Sequence, residues 1–281
     1  MVIEQNVNLS DGRTLRTYDS GGGADGHVPT LVWHHGSPQT GAPLEPLLTA
    51  AAARGIRLVS YGRPSYGGSS PQPGRNVAAA ADDVAGIADA LGLGPFAVMG
   101  ASGGGPHALA CAALLPDRVT GAVCFAGLAP YTDDFDWYEG MVSPGGLRAA
   151  ADGREARELY AATEEFDPAS FTSADIAALE GEWASLGADA VKAGQAGADG
   201  LIDDDVAFAT AWGFDLGEVA APVLLVQGGL DRVVPSAHAG WMLAGLPRAE
   251  MWVRPEDGHV SVLDACPAAM DWLMALGTSL T

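Results

Sequence analysis

The chain is expected to fold as an α/β protein: a mainly parallel sheet flanked by helices, with a helical cap inserted into it. Three observations predict this. Strand and helix patterns alternate over residues 30–125. The alternation stops over residues 128–214, where the sequence turns helical, irregular and acidic. It then resumes from residue 223 to the end, which is how one sheet interrupted by an insertion reads. With 281 residues, 48% of them hydrophobic, the chain can bury the core of one large domain. The net charge of -21 comes without the low hydrophobicity that keeps a chain disordered.

Taken in order, residues 2–9 and 14–18 alternate apolar and polar side chains around Ser10-Asp11-Gly12, an antiparallel hairpin for the sheet edge. The glycine-rich residues 21–26 read as a hairpin loop, because the Lys-Ser/Thr pair of a phosphate loop is missing. Residues 30–34 form a strand, 43–54 a helix closed by Gly55, 56–61 a strand, and 77–91 a helix closed by Gly92. A strand over 96–99, a helix over 104–115 and a strand over 119–125 follow. Past the interruption come a strand over 223–227, a helix over 236–244, a short strand over 250–253 and a last helix over 267–276. The expected organisation is a core of residues 1–127 and 215–281 with a cap of residues 128–214.

Composition excludes several function classes. Lys and Arg number 14 against 35 Asp and Glu, and Lys192 is the only lysine. No basic stripe exists to displace counterions from phosphates, so nucleic acid is not an expected partner. The first ten residues lack a basic stretch followed by an apolar one, and no apolar run reaches the roughly 18 residues of a membrane span. A cytoplasmic protein without a membrane partner is expected, as a monomer or homodimer. Cys111, Cys124 and Cys266 are far apart, so they read as buried small hydrophobes; no metal site is expected. Asp203, Asp204 and Asp205 lack the ligand spacing of a calcium loop and read as a solvated helix start.

The most informative segment is Gly100-Ala101-Ser102-Gly103-Gly104, placed between a buried strand and an apolar helix. A Gly-x-Ser-x-Gly turn from strand to helix holds its serine in a strained conformation with the hydroxyl above the sheet. Small neighbours are needed because the two backbones come close. His35-Gly36-Ser37-Pro38 follows an earlier strand, where the Ser37 amide can pair with that of Gly103 as an oxyanion hole. After the strand over 223–227, Gly228-Gly229-Leu230-Asp231 sets a carboxylate at a strand end, and Gly258-His259 follows the last strand. The order Ser102, Asp231, His259 with both partners at C-terminal strand ends fits a sheet-top active site. Asp133 and Asp134, after the preceding strand, are the alternative acid. His107 is expected to be packed or to line the pocket, and His34 and His35 to pack at a strand end.

Together with Tyr61-Gly62-Arg63-Pro64-Ser65-Tyr66-Gly67-Gly68-Ser69, these motifs make the chain resemble the α/β-hydrolase superfamily from residue 30 to 276. The resemblance implies an eight-stranded sheet, a Ser102-His259-Asp231 triad and no cofactor. The elbow serine, where haloalkane dehalogenases and epoxide hydrolases carry Asp, argues against those two activities. Gly103, where proline iminopeptidases usually carry Trp, weakens a peptidase reading. The expected function is therefore a serine hydrolase cleaving a small, largely apolar ester. An aminopeptidase or amidase, or a lyase, acyltransferase or ligand receptor on the same scaffold, is the alternative.

The cap holds 11 of the 20 aromatic residues, and Trp137, Tyr138 and Trp212 are expected to touch the small-molecule substrate in a roofed apolar pocket. It also carries 18 acidic and 4 basic residues, so its outer surface is expected to slow anionic substrates.

Overall fold

The computed structural model describes residues 1–22 and 28–278, so the loop expected at 21–26 lies for the most part outside the described residues. Eight strands form one sheet in the order β1-β2-β4-β3-β5-β6-β7-β8. β1 (Ile3–Asn8) and β2 (Thr14–Asp19) form the expected hairpin, and β2 pairs antiparallel with β4 (Arg57–Tyr61). β3 (Thr30–His34), β5 (Phe96–Ala101), β6 (Val119–Phe125), β7 (Val223–Gly228) and β8 (Ala249–Arg254) continue it in parallel.

Side chains alternate between the two faces of each strand, and both faces are covered. Leu31 and Trp33 of β3 and Ala97 and Met99 of β5 pack on one side with α1 (Glu45–Ala53) and α10 (Cys266–Thr278). Val32 and Val98 point the other way, toward α2 (Ala79–Leu91), α3 (Gly104–Leu114) and α9 (Ser236–Gly245). Gly55 (φ +65°) and Gly92 (φ +59°) stand in the left-handed region after α1 and α2, where side chains are costly and glycine is not.

Between β6 and β7 lies a helical insert of α4 (Gly145–Ala151), α5 (Arg154–Ala161), α6 (Ser173–Glu180), α7 (Ala184–Ala196) and α8 (Asp199–Phe208). All three cysteines are buried and free. Among the described residues no helix is long and apolar enough to cross a membrane.

The expectation for Asp203, Asp204 and Asp205 is wrong: all three are buried. They belong to α8 and pair with Arg154, with Arg63 and Arg75, and with Arg157 respectively. Consecutive helical residues point about 100° apart, so a helix packed on several sides must turn some of three adjacent carboxylates inward. Here each finds a guanidinium, which is what makes a buried charge tolerable.

Candidate active site

Ser102 sits in the turn between β5 and α3 with φ +53°, a left-handed conformation that a non-glycine residue adopts only where its surroundings enforce it. The Ser102 amide donates to Phe125 O (2.8 Å) and Gly105 N donates to Ser102 O (2.9 Å), which pins the turn from both sides. The backbones are too close for larger residues: a Cβ on Gly104 would collide with the His34 carbonyl, and one on Gly100 with the Gly104 carbonyl.

His259 follows β8 and Asp231 follows β7, and the geometry joins them. The His259 ring donates from Nδ1 to Asp231 Oδ2 at 2.8 Å. Asp231 Oδ1 accepts the amides of Val233 (2.8 Å) and Val234 (2.9 Å), so its own loop holds the carboxylate independently of the histidine. The two loops meet because Gly228 has no side chain; a Cβ there would strike the Gly258 carbonyl. With Nδ1 carrying hydrogen, Nε2 is left as the basic nitrogen. Burial opposes charge on the His259 ring, but Asp231 and then Asp175 raise its proton affinity above the ordinary imidazole value. The other described histidines behave oppositely. His34 is pushed down to about 3 and His238 to about 4, chiefly by burial, and burial also holds His35 and His107 well below the usual range.

Ser102 and His259 line the same cavity, of about 470 Å³. Ser37 lines it too, and a Cβ on Gly103 would run into the Ser37 hydroxyl, so the two residues expected to form an oxyanion hole are neighbours. The Gly36 amide is taken by Gln39 Oε1 (2.7 Å), whereas among the described residues the Ser37 and Gly103 amides have no protein acceptor. Asp133 and Asp134 are exposed and make no contact with His259, so the alternative acid is not in place. His107 is packed, with Nδ1 on Gly103 O (2.7 Å) and its edge toward Phe208.

The substrate-contact residues expected from the aromatic content are elsewhere. Trp137 is core, with Nε1 donating to Ala129 O (2.9 Å); Tyr138 lies under the Arg148 guanidinium at 4.1 Å; Trp212 donates to Phe208 O (3.3 Å) and packs on Phe214. None lines the cavity at Ser102. Its roof consists instead of Phe166, Phe171, Leu179, Leu186 and Val191 from the insert. Among the described residues, no Asp, Glu, Lys or Arg lines it.

A buried ion cluster that the sequence did not reveal ties the insert to the Ser37 loop. Asp204 accepts from Arg63 Nη2 (2.6 Å), Arg75 Nη2 (2.6 Å), Tyr66 OH (3.0 Å) and the Ser37 hydroxyl. Arg63 also donates to the His35 carbonyl and to Ser37 Oγ (3.0 Å). Burial resists ionisation of Asp204, but Arg63 and Arg75 hold its carboxyl well below the usual carboxylate range.

Residues 29–265 match the family model of the alpha/beta hydrolase fold. The chain belongs to this family. A Synechocystis sp. protein provisionally named a non-heme chloroperoxidase is 26% identical over 253 residues, covering 87% of this chain and 86% of that protein. A thermophilic esterase from Thermogutta terrifontis superposes with a TM-score of 0.72 at 22% identity, covering 98% of this chain and 99% of the other. The enol-lactonase of Burkholderia xenovorans gives a TM-score of 0.74 at 18% identity over 98% and 100% of the two chains. At these identities the structural likeness establishes the α/β-hydrolase fold alone.

Proposed function

We propose that this chain is a serine hydrolase of neutral, largely apolar carboxylic esters, working through an acyl-enzyme. The observation that carries the reading is the strained Ser102 sharing an uncharged cavity with His259, whose Nδ1 is held by Asp231. His259 Nε2 takes the Ser102 proton as Oγ attacks the acyl carbon, and Asp231 stabilises the imidazolium. The carbonyl oxygen gains the charge and receives the amides of Ser37 and Gly103. The imidazolium then gives its proton to the leaving alkoxide as the C–O bond breaks, and the alcohol departs. Water, deprotonated by the same nitrogen, attacks the acyl-enzyme; the acid is released and the proton returns to Ser102.

Substrate class follows from the cavity wall. Burying apolar surface stabilises a bound acyl group by about 25 cal/mol per Å², whereas a charged group would lose its hydration without gaining a partner. An acyl group bearing an ammonium finds no carboxylate in the wall among the described residues. The relatives named as an esterase and an enol-lactonase support the reading at the level of the scaffold. A panel of p-nitrophenyl esters beside aminoacyl-naphthylamides tests it. Turnover of the neutral esters with little on the amides is expected, and the reverse preference would overturn it.

A further inference from the structure

The insert brings a second carboxylate to the loop that carries His259. Asp175, on α6, is fully buried. Its Oδ1 accepts the amide of Val260 (2.8 Å), the amide of Ser261 (2.9 Å) and the hydroxyl of Ser261 (2.9 Å). Its Oδ2 accepts the Thr172 amide and hydroxyl, both at 2.9 Å. The Ser261 oxygen in turn accepts the Gly258 amide at 2.8 Å. The backbone on both sides of His259 is thus held by one carboxylate, directly at 260 and 261 and through Ser261 at 258. Gly258 makes the approach possible, since a Cβ there would collide with the Asp175 carboxylate.

Capping α6 needs only the Thr172 contacts. The three bonds of Oδ1 leave the helix and reach the core of the molecule, so they call for another explanation. With five donors around it, the Asp175 carboxyl lies below its ordinary value: burial works against ionisation, and the amides of Ser261, Thr172 and Val260 outweigh it.

We infer that Asp175 is a positioning residue for His259, fixing from the insert the loop whose imidazole Asp231 orients from the core. The inference rests on His259 being the base of the proposed hydrolase. The charged groups around the ring are Asp231 on the loop after β7, Asp175 on α6, and, just before it in the chain, the ion pair of Arg254 at the end of β8 with Asp257, and the exposed Glu256. Asp231 and Asp175 are the two that favour the imidazolium. The insert therefore contributes to the reaction itself, beyond roofing the substrate: it sets where the base stands and how strongly it holds a proton.

Three variants test this. Asp175→Asn keeps an acceptor oxygen and removes the charge; Asp175→Ala removes both; Ser261→Ala leaves Asp175 with its bonds to the Val260 and Ser261 amides and removes the hydroxyl that bridges it to the Gly258 amide. The titration of His259, followed by imidazole NMR without any substrate, should shift to lower pH in Asp175→Asn, the weaker of the two favourable charges being gone. The acid limb of kcat/KM should move with it. Asp175→Ala should in addition lower kcat with little change in KM, by on the order of 10²-fold, the scale of a misplacement of about 1 Å at a reacting group. Ser261→Ala should lower kcat in the same sense by less. An unmoved His259 titration in folded Asp175→Asn, or a parent-like kcat in Ser261→Ala should neither Asp175 variant fold, would overturn the inference. Failure of the hydrolase reading looks different: the parent itself would not turn over esters, while the His259 titration would still respond to Asp175.

Discussion

Replacing Asp204 by alanine should cost far more stability than its place in an acidic insert suggests. The carboxylate is completely buried, and the Arg63 and Arg75 side chains it joins are 1% and 2% exposed. Removing it leaves two buried guanidiniums without their shared counter-charge, and breaking a buried pair from one side costs about 3–5 kcal/mol. The slope of stability against urea is about 3 kcal/mol/M for a chain at or above the upper end of small-protein size, so the unfolding midpoint should fall by about 1 M or more. Urea titration followed by far-ultraviolet circular dichroism reads this directly. The pH dependence has a defined sign. Because the folded carboxyl is held below its unfolded value, its contribution is complete at neutral pH and is lost only as pH falls below about 4. The gap between parent and variant should therefore close in strong acid. Replacing Arg63, Arg75 and Asp204 together by apolar residues should recover much of the loss, since no unpaired charge then remains. A midpoint within about 0.2 M of the parent for Asp204→Ala, less than 1 kcal/mol at that slope, would refute the claim that this cluster fastens the insert to the Ser37 loop.

The remaining expectations concern the reaction. Asp231→Asn should keep the fold but lower kcat by roughly 10⁴, as loss of the acid does in a serine triad, while Asp133→Asn stays close to the parent; steady-state ester hydrolysis distinguishes the two. Catalysis needs neutral His259, and the ring holds its proton above the ordinary 6.5. Activity should therefore rise with pH through a midpoint above 6.5, and a midpoint below it would contradict the Asp231 contact. Specificity for p-nitrophenyl esters should grow by up to about 0.8 kcal/mol per added methylene until the cavity is full. Leu186→Trp should shorten the optimum, whereas Trp212→Phe should leave it in place, the reverse result showing that the acyl group lies elsewhere.

What could be read from the sequence was what is local. Ser102 announces itself because a strand-to-helix turn this tight needs glycine on both sides, and Gly100 and Gly104 stand there in the sequence. Asp231 and His259 are far apart along the chain, but each follows a strand, and strands of a parallel sheet deliver their C-terminal ends to one edge. The insert was less legible because its residues are sorted by three-dimensional packing. Trp137 and Trp212 carry the same chemistry as a substrate clamp, yet both donate their indole N–H to backbone carbonyls within the core. Phe166 and Leu186, with nothing distinctive around them in sequence, form the roof. Asp204 looked solvated because its partners, Arg63 and Arg75, are more than a hundred residues upstream. One signal was present: the carboxylates of 203–205 are flanked by Leu201-Ile202 and Val206-Ala207-Phe208, apolar neighbours unusual for a solvated helix start. Asp175 gave none, since a capping residue and a clamp on a distant loop have the same sequence.

The central claim, that Ser102 is a nucleophile activated by His259, is tested most directly by reaction with a fluorophosphonate and mass mapping of the adduct. The account predicts one stoichiometric adduct on the peptide containing Ser102, absent from Ser102→Ala and strongly slowed in His259→Ala, with both variants folded. An adduct on another residue, or an unmodified Ser102 in the folded parent, would contradict it.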